Sequence, residues 1–257
     1  MSSQVEQVKP YHNAGSKREQ VEQMFDSIAP AYDFMNRAMT LGIDRWWRRV
    51  AVRRVSRHLA ERTPPIPKPC LLDVATGTGD FALQLRDTLG TCRVTGIDLS
   101  QRMLDVARQK VARRNLETDI TFQQGDCLDL PFGDGMFDAA TVAFGVRNFE
   151  HIEQGYREML RVLRPGGMLC VLELSTPTNR ITRWFYDLYT LHVIPAIGSL
   201  KSGDSSAYRY LPRSIAAVPQ DGHMTALMRR AGFAQCQASR LTLGTCSIYT
   251  AIKGRGV

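Results

Sequence analysis

Through the middle of the chain, short apolar runs alternate with segments whose apolar residues recur every three or four positions. The runs predict strands and the recurring segments predict helices. Residues 70–75 form a first strand ending in a turn, and 81–89 have helical spacing. A second strand at 93–97, a helix at 101–115 and a third strand at 120–124 follow. Residues 137–143 read as a fourth strand, 151–163 as a helix and 168–174 as a fifth strand. Arg164-Pro165-Gly166-Gly167 stops that helix, because proline and glycine do not continue it. Residues 176–219 are rich in aromatics and breakers and read as an insertion, after which 223–231 is a helix ended by Gly232. Residues 233–240 and 246–252 are two last strands joined so closely that they must be antiparallel. This alternation predicts an α/β fold, a seven-stranded, mostly parallel sheet with helices on both faces and an antiparallel C-terminal hairpin.

Composition adds limits. With 257 residues and 44% hydrophobic content, the chain can bury one full α/β core. No apolar run approaches the roughly 18 residues of a spanning helix. The start is polar and lacks a signal-peptide stretch, so residues 1–19 read as a flexible arm. Residues 20–257 read as one domain, with 20–65 as an N-terminal helical cover and 176–219 as the insertion on the substrate side. The six cysteines are scattered, with no zinc or redox spacing, which fits reduced thiols of a cytoplasmic protein and no metal site. The net charge of +8 is concentrated, with eight arginines between Arg37 and Arg62. Such a cluster attracts nucleic acid or anionic lipid, although a solvated helix face would look the same.

The candidate chemistry lies at strand ends. Asp73-Val74-Ala75-Thr76-Gly77-Thr78-Gly79-Asp80 follows the first strand and opens the first helix of the sheet. Gly77 and Gly79 let the backbone turn sharply and approach a ligand closely. Ala82 stands where a dinucleotide loop has its third glycine, a place that tolerates alanine, so the loop alone leaves NAD open. Asp98, at the end of the second strand, is placed to accept both hydroxyls of a ribose, and Ser100 is the better helix cap. After the third strand, Gly125-Asp126-Cys127 is a polar turn suited to an adenine ring.

These motifs, with the Leu163-Arg164-Pro165-Gly166-Gly167 turn, resemble the successive motifs of class I S-adenosylmethionine-dependent methyltransferases. The segment from Met24 through Asn36, Gly42-Ile43-Asp44-Arg45-Trp46-Trp47-Arg48, Ala143-Phe144-Gly145-Val146-Arg147-Asn148-Phe149, Leu172-Glu173-Leu174-Ser175-Thr176-Pro177 and Tyr208-Arg209-Tyr210-Leu211 narrow the likeness. They resemble the ubiquinone/menaquinone biosynthesis C-methyltransferase family from about residue 20 to 253. The resemblance implies a Rossmann-like methyltransferase fold with S-adenosylmethionine as co-substrate, held by Gly77, Thr78, Gly79, Asp98, Asp126 and Cys127. It implies methylation of a ring carbon of demethylmenaquinol, or of the equivalent ubiquinol precursor, 2-polyprenyl-6-methoxy-1,4-benzoquinol. One departure is Ala143, where family members often carry serine, so a hydroxyl contact to the co-substrate is missing.

Arg147 and Asn148, at the end of the fourth strand, are the candidate catalytic pair. Arg147 stays protonated, so it is expected to favour the ionised quinol or to orient a water rather than act as a base. A salt bridge to Glu150 or a helix-cap role is the plainer reading of Arg147. Glu173, at a strand end, is a further residue expected to face the substrate. Trp184, Phe185, Tyr186, Tyr189, Tyr208 and Tyr210 together suit a pocket for ring and prenyl tail, although for any single one of them core packing is the safer reading. His192 reads as structural. Trp46 and Trp47 among arginines suit an interfacial helix, predicting peripheral contact with the anionic inner face of a membrane. Nucleic acid is not an expected substrate. Phe144-Gly145-Val146-Arg147 stands where base-amine methyltransferases place an Asn/Asp-Pro-Pro-aromatic tetrapeptide, and Pro69-Cys70 lies away from the site.

Overall fold

The computed structural model describes residues 4–11, 14–189 and 205–255. Its described strands form one sheet of seven, in the order β3-β2-β1-β4-β5-β7-β6. The strands are β1 Cys70–Val74, β2 Arg93–Asp98, β3 Ile120–Gln124, β4 Phe137–Ala143, β5 Leu163–Leu174, β6 Ala234–Leu241 and β7 Cys246–Ile252. β1 pairs in parallel with β2 and β4, while β7 runs antiparallel to both β5 and β6. The α/β fold with its antiparallel C-terminal pair is therefore as the periodicity predicts. β4 is buried along nearly its whole length, as expected of a central strand covered on both faces.

Three helices precede the sheet: α1 Lys17–Ile28, α2 Tyr32–Thr40 and α3 Asp44–Ala60. Between the strands lie α4 Asp80–Leu89, α5 Gln101–Ala112 and α6 Ile152–Val162. After β5 come α7 Arg180–Leu188, α8 Ser205–Ala217 and α9 Gly222–Arg230. Two apolar layers sandwich the sheet. One gathers Leu72, Val74, Tyr156 and Met159, and the other gathers Trp47, Val55, Leu71 and Phe81. Strand order reverses between β2-β1 and β4-β5, so the carboxyl ends of β1 and β4 frame the crevice in which ligands of open α/β sheets bind.

Three parts differ from the sequence reading. The expected loose arm is, over residues 4–11, a packed segment, in which Val5 is fully buried in the main core. α1 starts at Lys17, where Ser16 accepts from the Glu19 backbone N–H and Glu19 answers in a capping box. α3 is not wholly interfacial. Trp47 packs edge-on against Phe144 and donates from Nε1 to Thr242 Oγ1 at 2.7 Å, and Arg48 is buried in an ion pair with Asp44 at 2.5 Å. α8, in the expected insertion, carries Pro212, which masked its helical pattern. Its Ala207 and Tyr210 are buried against Met24 and Met35.

Candidate active site

The carboxyl ends of β1, β2, β3 and β4 and the cover helix α1 frame a cleft. Gly77, Asp98, Asp126, Cys127 and Asn148 all line it. Gly77 has φ +56°, and a side chain there would project into open space, with Tyr32 Cε1 as its nearest atom at 3.9 Å. The cradle is therefore open because that position has no Cβ. Asp98 Oδ2 accepts from the Gly77 N–H at 2.8 Å, and Oδ1 accepts from the Ser100 N–H at 2.9 Å. Each oxygen keeps room for a further donor. Burial pushes the Asp98 carboxyl up to about 6, against the pull of those backbone N–H groups. Ser100 caps α5 by accepting from the Met103 N–H, which leaves Asp98 free of the capping role.

Asp126 accepts from the Leu128 N–H at 2.9 Å and pairs with Arg18 of α1 at 2.7 Å. Burial, with Asp126 and Asp98 nearby, pushes the Cys127 thiol well above its ordinary value, so it stays neutral. Thr78 and Gly79 do not line this cleft. Thr78 borders a smaller cavity of about 330 Å³. Its hydroxyl donates to Asp33 Oδ1 at 2.6 Å and accepts from Lys110 Nζ at 3.0 Å. Lys110 also bridges Asp33 and Asp80, at 2.5 and 2.6 Å, so this cluster ties α2 down onto the glycine loop. Gly79 is a packing glycine: a Cβ there would meet Phe122 Cζ at 2.9 Å. The loop is buckled from below by Asp73, which accepts from Thr76 and Thr141 at 2.6 and 2.7 Å. Burial raises its carboxyl to about 6.

A second cavity, mostly apolar, adjoins the cleft and shares Tyr32 and Phe144 with it. Tyr32, which the sequence reading left without a chemical role, also borders the smaller cavity and is the residue on which the spaces converge. Arg147 lines the apolar cavity and Asn148 the cleft, and the two meet in a small pocket between them that Tyr32, Asn36 and Tyr210 also border. Asn148 Oδ1 accepts from the Tyr210 hydroxyl at 3.1 Å. Phe144 has φ +59°, a conformation that bulky residues rarely hold, and it turns the chain out of β4 toward Arg147.

Arg147 is buried and pairs with Glu173, not Glu150. One guanidinium nitrogen donates to Glu173 Oε1 at 2.6 Å and to the Phe144 carbonyl at 2.5 Å, and the Arg147 backbone N–H donates to Glu173 Oε2 at 3.2 Å. Arg147 Nε, also buried, has no partner among the described residues. A buried donor without an acceptor is costly. Glu173, which the sequence reading set toward the substrate, is instead the buried anchor of that guanidinium.

Lys17 holds the same turn from the other side. Its ammonium donates to the carbonyls of Val5, Arg147 and Phe149 at 2.7, 2.8 and 3.1 Å, and burial lowers its pKa to about 8. Glu150 accepts from the Lys17 backbone N–H. Of the expected aromatics, Tyr186 and Tyr189 line the apolar cavity, Tyr210 is buried beside it, and Trp184 is 61% exposed. The expectations for Phe185, Tyr208 and His192 fall outside what is described. Among the described residues, no group of three or more His, Cys, Asp or Glu side chains is arranged to hold a metal.

The model of the ubiE/COQ5 methyltransferase family matches residues 13–253. The demethylmenaquinone methyltransferase of Bacteroides fragilis is 48% identical over 96% of this chain and 98% of its own length. The ubiquinone/menaquinone biosynthesis C-methyltransferase UbiE of Geotalea daltonii is 44% identical over 92% and 97%. Among solved structures, a SAM-dependent methyltransferase from Aquifex aeolicus has a TM-score of 0.53 at 18% identity, covering 72% of this chain and 82% of that one. The [4+2]-cyclase SpnF has a TM-score of 0.57 at 22% identity, over 95% and 98%. At such identities these two bear on the fold alone. With the glycine loop, the strand-end acid and a match over nearly its whole length, the chain belongs to the ubiE/COQ5 methyltransferase family.

Proposed function

We propose that the enzyme transfers a methyl group from S-adenosylmethionine to a ring carbon of demethylmenaquinol, giving menaquinol. The carrying observation is the large apolar cavity that meets the cleft at Tyr32 and Phe144 and is bordered by Arg147, whose buried Nε–H has no partner among the described residues. S-adenosylmethionine in the cleft supplies an electrophilic methyl group. Gly77 leaves space for it, Asp98 accepts the ribose hydroxyls, and the Asp126-Cys127 turn borders the adenine. Thr78 and Gly79 support the loop from behind.

Carbon attack needs an electron-rich ring, so the reacting form is a quinol that has lost a hydroxyl proton. Arg147 Nε donates to that oxygen and favours its ionised form, since a fixed cation lowers the pKa of an acid beside it. Glu173 and the Phe144 carbonyl hold the guanidinium still, and Asn148 orients the turn from the cleft side. The apolar walls keep water out, which strengthens the charge interaction. Methylation of the ubiquinol precursor would use the same groups, and the name of the Geotalea relative covers both branches.

The test is methyl incorporation into short-chain demethylmenaquinone and the benzoquinone precursor, each with and without dithionite. Product from the reduced naphthoquinone alone is the expected result. Equal rates on the oxidised ring would overturn the mechanism, and preference for the benzoquinol would move the substrate to the other branch.

The same reading brings the enzyme to a bilayer, where prenylated quinols reside. No helix among the described residues is long and apolar enough to cross a membrane, and in this reading the enzyme meets the bilayer at its surface. Leu41 both lines the apolar cavity and is 86% exposed, which marks the mouth. Arg45, Arg49, Arg53 and Arg57 lie four residues apart on the exposed side of α3, with no ion-pair partner among the described residues. Each arginine near an anionic surface is worth about 1 kcal/mol. Replacing all four with glutamine should abolish salt-sensitive sedimentation with phosphatidylglycerol-containing vesicles. Equal binding of the unaltered enzyme to neutral and anionic vesicles at low salt would defeat this part of the reading.

A further inference from the structure

We infer that Asp44 is the residue by which the apolar cavity distinguishes a reduced ring from an oxidised one. It accepts a hydrogen bond from one ring hydroxyl while Arg147 donates to the other ring oxygen. The inference rests on reading this cavity as the quinol site.

Among the described residues, Asp44 is the one carboxylate that lines the cavity, in walls otherwise supplied by groups such as Met39, Ile43, Leu174 and Ile215. It is buried, so bulk water does not satisfy it. Oδ1 lies 2.9 Å from the Thr40 hydroxyl, whose single proton is shared with the Asn36 carbonyl at 2.7 Å, and Oδ2 accepts from Arg48 at 2.5 Å. An ionised carboxylate takes about four hydrogen bonds, so two acceptor places remain. Arg48 lies over the Phe144 ring, 5.4 Å from its centroid, and Phe144 is a wall common to cleft and cavity. The acidic group therefore stands near the junction at which a ring would meet the methyl donor.

Among the polar groups that line the cavity, which include Asn36, Thr40, Arg48 and Thr242, two are of opposite kind and have hydrogen-bonding capacity left. Arg147 Nε is a donor with nothing to give to, and Asp44 is an acceptor with capacity left. A quinone has two carbonyl oxygens, which only accept. A singly ionised quinol has one oxygen that accepts and one hydroxyl that donates. Only the quinol satisfies both groups. A quinone would set a carbonyl against the carboxylate and leave both desolvated without a bond between them. Sites built to hydrogen-bond a hydroxyl reject analogues lacking it by as much as about 10⁴-fold. Such a filter keeps the unreactive oxidised form, which shares the ring and tail, from occupying the cavity.

Asp44 also opens α3 and links it to α2 through Thr40, so a purely structural role must be separable. The experiment is anaerobic equilibrium dialysis of a short-chain prenyl naphthoquinone and its quinol with the unaltered enzyme, Asp44→Asn and Thr40→Val. The unaltered enzyme should favour the quinol by at least about tenfold, the value of one hydrogen bond to a charged group. Asp44→Asn can donate as well as accept, so it should bind the quinone more tightly, bind the quinol more weakly and bring the ratio near one. Thr40→Val keeps the carboxylate and should keep the ratio. Equal loss of both ligands in Asp44→Asn, with the ratio intact, would reduce Asp44 to a structural part. Equal binding of both ring forms by the unaltered enzyme would also overturn the inference, while leaving the substrate class standing. Binding of neither would overturn the quinol reading itself.

Discussion

Arg147→Lys should lower turnover on the reduced quinol by roughly 10²-fold, the usual cost of one misplaced donor at a developing oxyanion. Affinity for S-adenosylmethionine should not change, because Arg147 borders the apolar cavity and not the cleft. Lysine keeps a cation beside Glu173. A single ammonium cannot bond Glu173 and the Phe144 carbonyl together and still present an N–H at the Nε position. Arg147→Ala should be the more damaging change, since it leaves Glu173 buried without a counter-charge at a cost of about 3–5 kcal/mol in stability. The double variant Arg147→Ala/Glu173→Gln removes that penalty and isolates the loss of catalysis. Steady-state rates with dithionite, paired with thermal melting, separate the two effects. Unaltered turnover in a folded Arg147→Lys enzyme would clear the residue of any role in the chemical step.

Asp98→Ala should weaken S-adenosylmethionine binding by about 1.5–3 kcal/mol for each charged hydrogen bond lost, or roughly tenfold to a hundredfold. The pH dependence makes a sharper test. Burial raises the Asp98 carboxyl to about 6, so near that pH the empty site holds a mixture of neutral acid and carboxylate. Two ribose hydroxyls donate to the carboxylate and so favour the charged form. Affinity should therefore rise as pH increases through about 6 and level off above it. For the empty protein the sign is opposite: a carboxyl raised above its ordinary value of 3.8 costs stability as pH climbs toward 6. Calorimetric titrations from acid to neutral pH should show the rise, and Asp98→Asn should flatten it. An unchanged slope in that variant would assign the titration elsewhere, with Asp73 the next carboxyl to examine.

The sheet and the cleft were legible because both obey local rules. Glycines after β1 and an acid at the end of β2 have fixed places in a parallel sheet, and Ser100, two residues after Asp98, takes the helix cap. What escaped the reading was set by which way a helix faces and by contacts between distant residues. In α3, arginine density drew attention to the surface, yet Trp47, Ala51, Val55 and Leu59 recur every four residues and form the buried stripe. The free arginines sit at 45, 49, 53 and 57, out of step with that stripe. The partner of Arg147 depended on strand register. β4 pairs Ala143 with Leu172, which brings Glu173 beside the turn after β4, while the sequence neighbour Glu150 is taken up by Lys17. Tyr32 and Asp44 belong to segments recognised only by likeness, and no local pattern gave them a chemical role.

The Lys17 ammonium is a knot in which the beginning of the chain is tied to the turn that carries Arg147. One of its three carbonyls comes from Val5 and the other two from the turn itself. Whatever tugs on the first residues, whether a fused tag, a trimmed start or a docking partner, pulls on the guanidinium's seat together with the core layer in which Val5 is buried. Rates compared between versions of this enzyme with different beginnings will therefore report the tension in that knot as well as the chemistry.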